Sequence, residues 1–143
     1  YLNLRGVSIM ASELRVNTLK DASGNNSIAT SFVANGSAKA FNVFEPDVAA
    51  TIASLNISTL TDNGTGDFSH AFTSSFGAAK QYTVAGSCGN SAASTNAIEY
   101  CKPSEEAVIL ASSLRTSTGY VTPTAAALYD YPNSSFACQG DLA

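Results

Sequence analysis

ISTLTDNGTGDFSHAF, residues 57–72, is the stretch whose reading decides the fold. The run after Asp67 alternates, with Phe68, His70 and Phe72 on one face and Ser69 on the other. Period-two alternation is the mark of a half-buried strand. Between the two runs lies Asp62-Asn63-Gly64-Thr65-Gly66-Asp67. Asn63-Gly64 readily takes positive φ and supplies a tight reversal. Gly66 allows a bulge before the return strand. Asp62 and Asp67 bond local amides. A β-hairpin therefore accounts for all six residues. The rival is a calcium loop, since Asp62, Asn63 and Asp67 all offer oxygens. The segment lacks the EF-hand spacing and its closing glutamate.

The same grammar extends in both directions. ELRVNTL (13–19), NSIATSFV (26–33), AKAFNVF (38–44), QYTVAGS (81–87), AIEYCK (97–102), AVILASSLRTS (107–117), AALYDY (126–131) and SFACQ (135–139) read as strands. In NSIATSFV, Ile28, Thr30 and Phe32 share a face. DASGNN, ANGSA, EPD, SFGAA, GNSAAS, KPS, STG and YPNSS read as turns between them. Such spacing predicts an all-β protein, an antiparallel β-sandwich of jelly-roll-like form. Helix signals are weak. DVAATIASL (47–55) runs into the β-rich NIST. SEEAVILASSL (104–114) has a capping serine and early glutamates but sits among Ser, Thr and Gly. Strand is the expectation for both.

Composition narrows the function classes. Charged residues are 13% of the 143, against about 25% in ordinary soluble domains. Uncharged Ser, Thr and Asn must then cover the surface, as in GNNSIATS, GNSAASTNA and SSLRTSTGY. That surface suits extracellular particles, appendages and oligomers. The net charge is −4, with no basic stripe for phosphate contacts, which argues against nucleic acid. No apolar window is long enough to span a membrane as a helix. YLNLRGVSIM is not a signal peptide, and Met10 begins MASELRVNTL, which reads as a start with nine residues of extension before it. Cys88, Cys101 and Cys138 form no CxxC pair and read as small buried residues or free thiols, with one disulfide plus one free thiol as the alternative. Lone His70 has no second ligand nearby, so no metal or other cofactor is expected.

Residues 1–38 stand apart from residues 39–143. Their strands are short, and Phe32 is their one large aromatic besides Tyr1. A two-stranded hairpin is marginal by itself in water. Three copies around an axis would bury Leu14, Val16, Leu19, Ile28 and Phe32 against one another. The expected organisation is a stem or anchoring segment of strands at 1–38 and a sandwich head at 39–143. That account requires the leading segment to be strand, not helix.

LRVNTLKDASG (14–24), GSAKAF (36–41) and STLTDNGTGDFSHAFT (58–73) resemble, in order and spacing, small tail-fibre or appendage proteins of tailed bacteriophages, many from aquatic hosts. Phe41 stands where that pattern has Trp, and Phe68 where it has Tyr. The resemblance covers roughly residues 10–86. It implies a non-enzymatic virion structural protein, a homotrimer docked on other virion proteins (a tail hub or the capsid). Such a protein is assembled in the host bacterial cytoplasm, where unpaired thiols are tolerated. Tail fibre, head fibre and capsid decoration all use such modules.

Other chemistry is thin. A Ser-His-Asp site would need His70 as base, and Ser69 points to the opposite face. No carboxylate pair is singled out for glycoside chemistry. The sequons at Asn25, Asn35, Asn56, Asn63 and Asn133 mean little in a bacterial virus. Tyr120, Tyr129 and Tyr131 with Asn133 are aromatic and amide groups of the kind a carbohydrate site uses. They are the candidate contact with a host surface glycan, in a lectin-like reading.

Overall fold

The computed structural model describes residues 17–20, 23, 27–89 and 98–143. In chain order they form β1 (Thr18–Lys20), β2 (Ser27–Ala29), helix α1 (Thr30–Gly36), β3 (Ala38–Glu45), β4 (Ala50–Leu55), β5 (Ile57–Gly64), β6 (Asp67–Phe72), β7 (Tyr82–Gly89), β8 (Ile98–Pro103), β9 (Ser113–Val121), β10 (Ala126–Leu128) and β11 (Asn133–Gly140). Short 3-10 turns cover Pro46–Val48 and Glu106–Val108. The protein is all-β in its main body, and every ladder is antiparallel.

Two sheets make the sandwich. The first has the order β4-β3-β11-β7. The second runs β5-β6-β9, with β8 and β10 both paired to β9. Strand alternation sends Ala40, Asn42 and Phe44 of β3 inward, with Ser134, Phe136 and Cys138 of β11. From the other sheet come Phe68, His70 and Phe72 of β6, Leu114 of β9 and Cys101 of β8. The layers interlock through edge-on rings: Phe44 to Phe68 at 5.4 Å and His70 to Phe136 at 4.6 Å between centroids. Phe72, Phe76 and Tyr82 extend this aromatic seam, Phe76 stacking on Tyr82 at 4.1 Å. Edge-on rings at such spacings add to the gain from area burial alone. Of the expected fold, the all-β class and the antiparallel layers are what the strand pairing gives. β3–β4, β5–β6 and β8–β9 are each neighbours within one sheet.

The β5–β6 hairpin forms as read, but its reversal lies two residues later. Gly64 pairs with Asp67, and Thr65-Gly66 make the turn, with Gly66 at φ 65°. The register shift falls between Asp62 and Gly64, before the turn and not after it. Asp62 Oδ1 accepts from the Gly64 amide at 2.8 Å. Asn63 Nδ2 donates to Ser69 Oγ at 2.8 Å. Asp67 turns to Arg115, whose Nε donates to Asp67 Oδ1 at 2.6 Å and whose Nη2 bonds Oδ2. The three oxygen-bearing side chains thus serve separate partners and do not converge.

Three other expectations change. NSIATSFV is strand only over Ser27–Ala29 and then winds into α1 at Thr30. Among the described residues β2 pairs only with β1, in a ladder that ends at Ala29, and the Thr30 amide bonds back to the Asn17 carbonyl at 3.1 Å. The apolar run after Glu105 is neither helix nor full strand. It is the β8–β9 connection, tied by the Leu110 amide to Ser113 O at 3.0 Å and by Tyr82 Oη donating to Leu110 O at 2.9 Å. STG (117–119) is no turn but the interior of β9. A Cβ at Gly119 would sit 2.4 Å from the Ala127 carbonyl and 2.7 Å from the Tyr100 hydroxyl, so the bare backbone serves close packing.

Candidate functional site

The hairpin turn of the opening motif is clamped to the far end of β9. Thr118 N donates to Gly66 O at 2.9 Å, and the Gly66 amide donates to Asp130 Oδ1 at 2.6 Å. Thr118 in turn holds the segment after β10. Its Oγ1 donates to Tyr129 O at 2.7 Å, and its carbonyl accepts from Tyr129 N at 3.0 Å. A rigid corner results, and it carries the tyrosines singled out in the sequence. Tyr129 is 42% exposed and meets the half-buried Tyr120 edge-on at 6.3 Å. Tyr131 does not belong to the surface. It is fully buried, its hydroxyl donates to Gly119 O at 3.2 Å, and its ring props up Tyr129 at 5.0 Å. Asn133 is exposed, but it opens β11 in the other sheet, opposite Gly89. What the corner presents is a pair of aromatic faces with polar tips on a fixed backbone, suited to a partner that is part apolar and part hydroxylated.

His70 lies at the centre of the sandwich with no exposed surface. Its Nδ1 is 3.2 Å from Asn42 Nδ2 and its Nε2 is 2.9 Å from Thr116 Oγ1. With Asn42 donating, the ring proton sits on Nε2 and is given to Thr116. Burial depresses the imidazole to about 3, so the ring is neutral at ordinary pH. Phe44 and Phe136 flank it edge-on. Asn42 Nδ2 also donates to Thr51 Oγ1 at 3.4 Å, while Asn42 Oδ1 has no hydrogen-bond partner. The Ser-His-Asp arrangement weighed from sequence is not assembled. Ser69 bonds Asn63, Asp67 bonds Arg115, and both histidine nitrogens are engaged between the sheets.

The leading segment carries apolar side chains that its own subunit leaves uncovered. Leu19 and Ile28 face each other across the β1–β2 ladder and are 41% and 44% exposed. Phe32 on α1 is 72% exposed, and its neighbour Val33 is 44% exposed. Leu14 and Val16 lie outside the described residues. Phe32 no longer shares a strand face with Ile28, because α1 begins between them.

Some features escaped the sequence. The Asp67–Arg115 pair joins β6 to β9 across their ladder, and the guanidinium holds the Asp67 carboxyl below its usual range. Thr116, Ser117 and Thr118, read as surface polarity, are buried with their hydroxyls bonded to His70, Ser104 and Tyr129. The signal for burial was β-branching within a run that could form a central strand. On the outer face of the first sheet, Phe41, Val43, Ala85 and Ala137 line an open depression of about 370 Å³. In comparisons with known proteins, no family model, no curated protein and no solved structure gives a significant match to this chain.

Proposed function

We propose that this chain is a non-enzymatic structural module of a bacteriophage virion, an appendage subunit that assembles as a homotrimer through its leading segment. The observation that carries the self-association is the exposed apolar set Leu19, Ile28, Phe32 and Val33. A short hairpin and a seven-residue helix cannot sustain themselves alone in water. The requirement that the leading segment be strand throughout is not met, since Thr30–Gly36 wind into α1 and Phe32 projects from that helix; self-association rests on the exposed apolar set alone. Its exposure is what calls for a partner. The number three, the phage setting and the attachment to a tail hub or capsid come from the resemblance of LRVNTLKDASG, GSAKAF and TDNGTGDF to tail-fibre proteins. Head fibre and capsid decoration belong to the same reading. Light scattering and native mass measurement of the full chain test it. A trimer at micromolar concentration is expected, and a stable folded monomer overturns it.

A second reading has its own support. Tyr120 and Tyr129, held rigidly by Thr118, Gly66 and Asp130, form an aromatic corner of the sort that stacks on pyranose rings. In that reading the head recognises a host surface glycan. Tyr129→Ala is expected to abolish binding on a glycan array while the chain stays folded by circular dichroism. A chain that binds no glycan and no host cell leaves the structural role alone.

A further inference from the structure

The sandwich has one seam where its two sheets touch without a ladder. Among the described residues, β7 forms a ladder only with β11, and β8 only with β9. Yet their backbones are in close contact. A Cβ at Gly86 of β7 would lie 2.5 Å from the Cys101 carbonyl of β8, so glycine is what permits the approach. Two positions on, Cys88 reaches across the seam, and its Sγ donates to the Tyr100 carbonyl at 2.8 Å. That carbonyl belongs to the peptide leading into Cys101. The Ser134 hydroxyl donates to Cys88 Sγ at 3.4 Å from β11. All three thiols are reduced in the structure, with Cys88 half-buried and Cys101 and Cys138 buried.

We propose that Cys88 and Cys101 are a redox pair that closes into a disulfide under oxidising conditions, stapling the first sheet to the second along the β7–β8 seam. The sequence left open a disulfide with one thiol over, and the fold sets Cys88 against the Tyr100–Cys101 peptide. The nearness of Cys101, with the Ser134 hydroxyl, lowers the pKa of the Cys88 thiol, while the nearness of Cys88 and burial raise that of Cys101. Cys88, half-buried where Cys101 is buried, is the sulfur an external disulfide can reach, so it attacks and Cys101 resolves. The oxidant is a low-molecular-weight disulfide. Cys88 loses its proton and attacks one sulfur of that disulfide. The external S–S bond breaks, and the departing small thiolate takes up a proton. Cys101 then loses its proton and attacks Cys88 Sγ, expelling the second small thiol. Two protein thiols are oxidised, and one small disulfide is reduced to two thiols. The bond closes a loop of about a dozen residues, which raises the melting temperature by on the order of 5–10 °C. The inference does not depend on the function proposed above.

The test is titration of the full chain with oxidised glutathione, followed by intact mass, peptide mapping and thermal melting. The expected product is a chain without intermolecular disulfides, lighter by two hydrogens, with the β7 and β8 peptides linked and Cys138 still alkylatable. Its melting temperature is raised, and dithiothreitol reverses the rise. In the reduced chain, Cys88 should alkylate at least tenfold faster than Cys101. C88S and C101A should each abolish the stabilisation, while C138A keeps it. Gly86→Ala, which pushes the seam apart, should slow closure at least tenfold. The proposal is overturned by a glutathione adduct that persists on Cys88, by a Cys138 linkage, by intermolecular crosslinks through Cys88, or by closure that leaves the melting temperature unchanged.

Discussion

His70 occupies a place between the sheets that an aliphatic side chain would fill at lower risk. Its neutral ring is compatible with Phe44 and Phe136, and both nitrogens are bonded to Asn42 and Thr116. Charging it there is costly. The folded pKa near 3 lies below the unfolded value of 6.5, so the unfolded chain takes up a proton that the folded chain refuses. Stability from this group is fully present above pH 6.5 and falls as pH drops toward 3. Between pH 7 and pH 5 the loss should be about 2 kcal/mol. Urea denaturation at the two pH values measures it, and in His70→Gln the difference should largely vanish. The sequence placed His70 correctly on the Phe68/Phe72 face. It did not disclose Asn42 and Thr116, which lie 28 and 46 residues away and meet the ring only once the sheets are stacked. Local alternation reports which way a side chain points, not what it meets.

The β5–β6 hairpin is a local element whose precise form is set from afar. Asn63-Gly64 is a ready turn by propensity, yet the chain reverses at Thr65-Gly66. The later turn lets Gly66 dock under Thr118 and Asp130. Gly66→Ala meets both a positive φ and contacts at 2.3 Å from Thr118 O and 2.8 Å from Tyr129 N. A loss of about 3 kcal/mol or more is expected in chemical denaturation, with Tyr129 fluorescence shifted as the corner loosens. Asn56 plays a comparable part between β4 and β5, where the chain passes from one sheet to the other. It sits at φ 58°, its Nδ2 donates to Ser74 O at 2.9 Å, and its Oδ1 accepts from Ser74 N at 2.7 Å. Asn56→Ala loses both bonds and strains the backbone, for about 2–3 kcal/mol; Asn56→Gly should lose less, since only the bonds go. Strands with aromatic alternation were legible from sequence: β3, β6 and the start of β7. The polar β9 was divided by a false turn at STG, because a glycine needed for packing against Tyr100 resembles one needed for reversal.

For the whole molecule, the legible part was the class: antiparallel, layered and rich in aromatics. The connectivity was not legible, since turn spacing says when a strand ends but not which sheet receives the next one. The leading segment tests the assembly. Phe32→Ser, at a site 72% exposed, should leave the sandwich melting unchanged while shifting the full chain from trimer to monomer by light scattering. If the oligomer persists, Phe32 lies outside the contact. The order β4-β3-β11-β7 carries one more consequence. β11 is the last-formed strand of its sheet in chain order, yet it is wedged between β3 and β7. Until residues 133–140 leave the ribosome, two flanks with free amides and carbonyls wait for a strand that does not yet exist. The matching strand of a neighbouring nascent chain can take that vacancy, so slow synthesis of residues 133–140 favours strand exchange between copies.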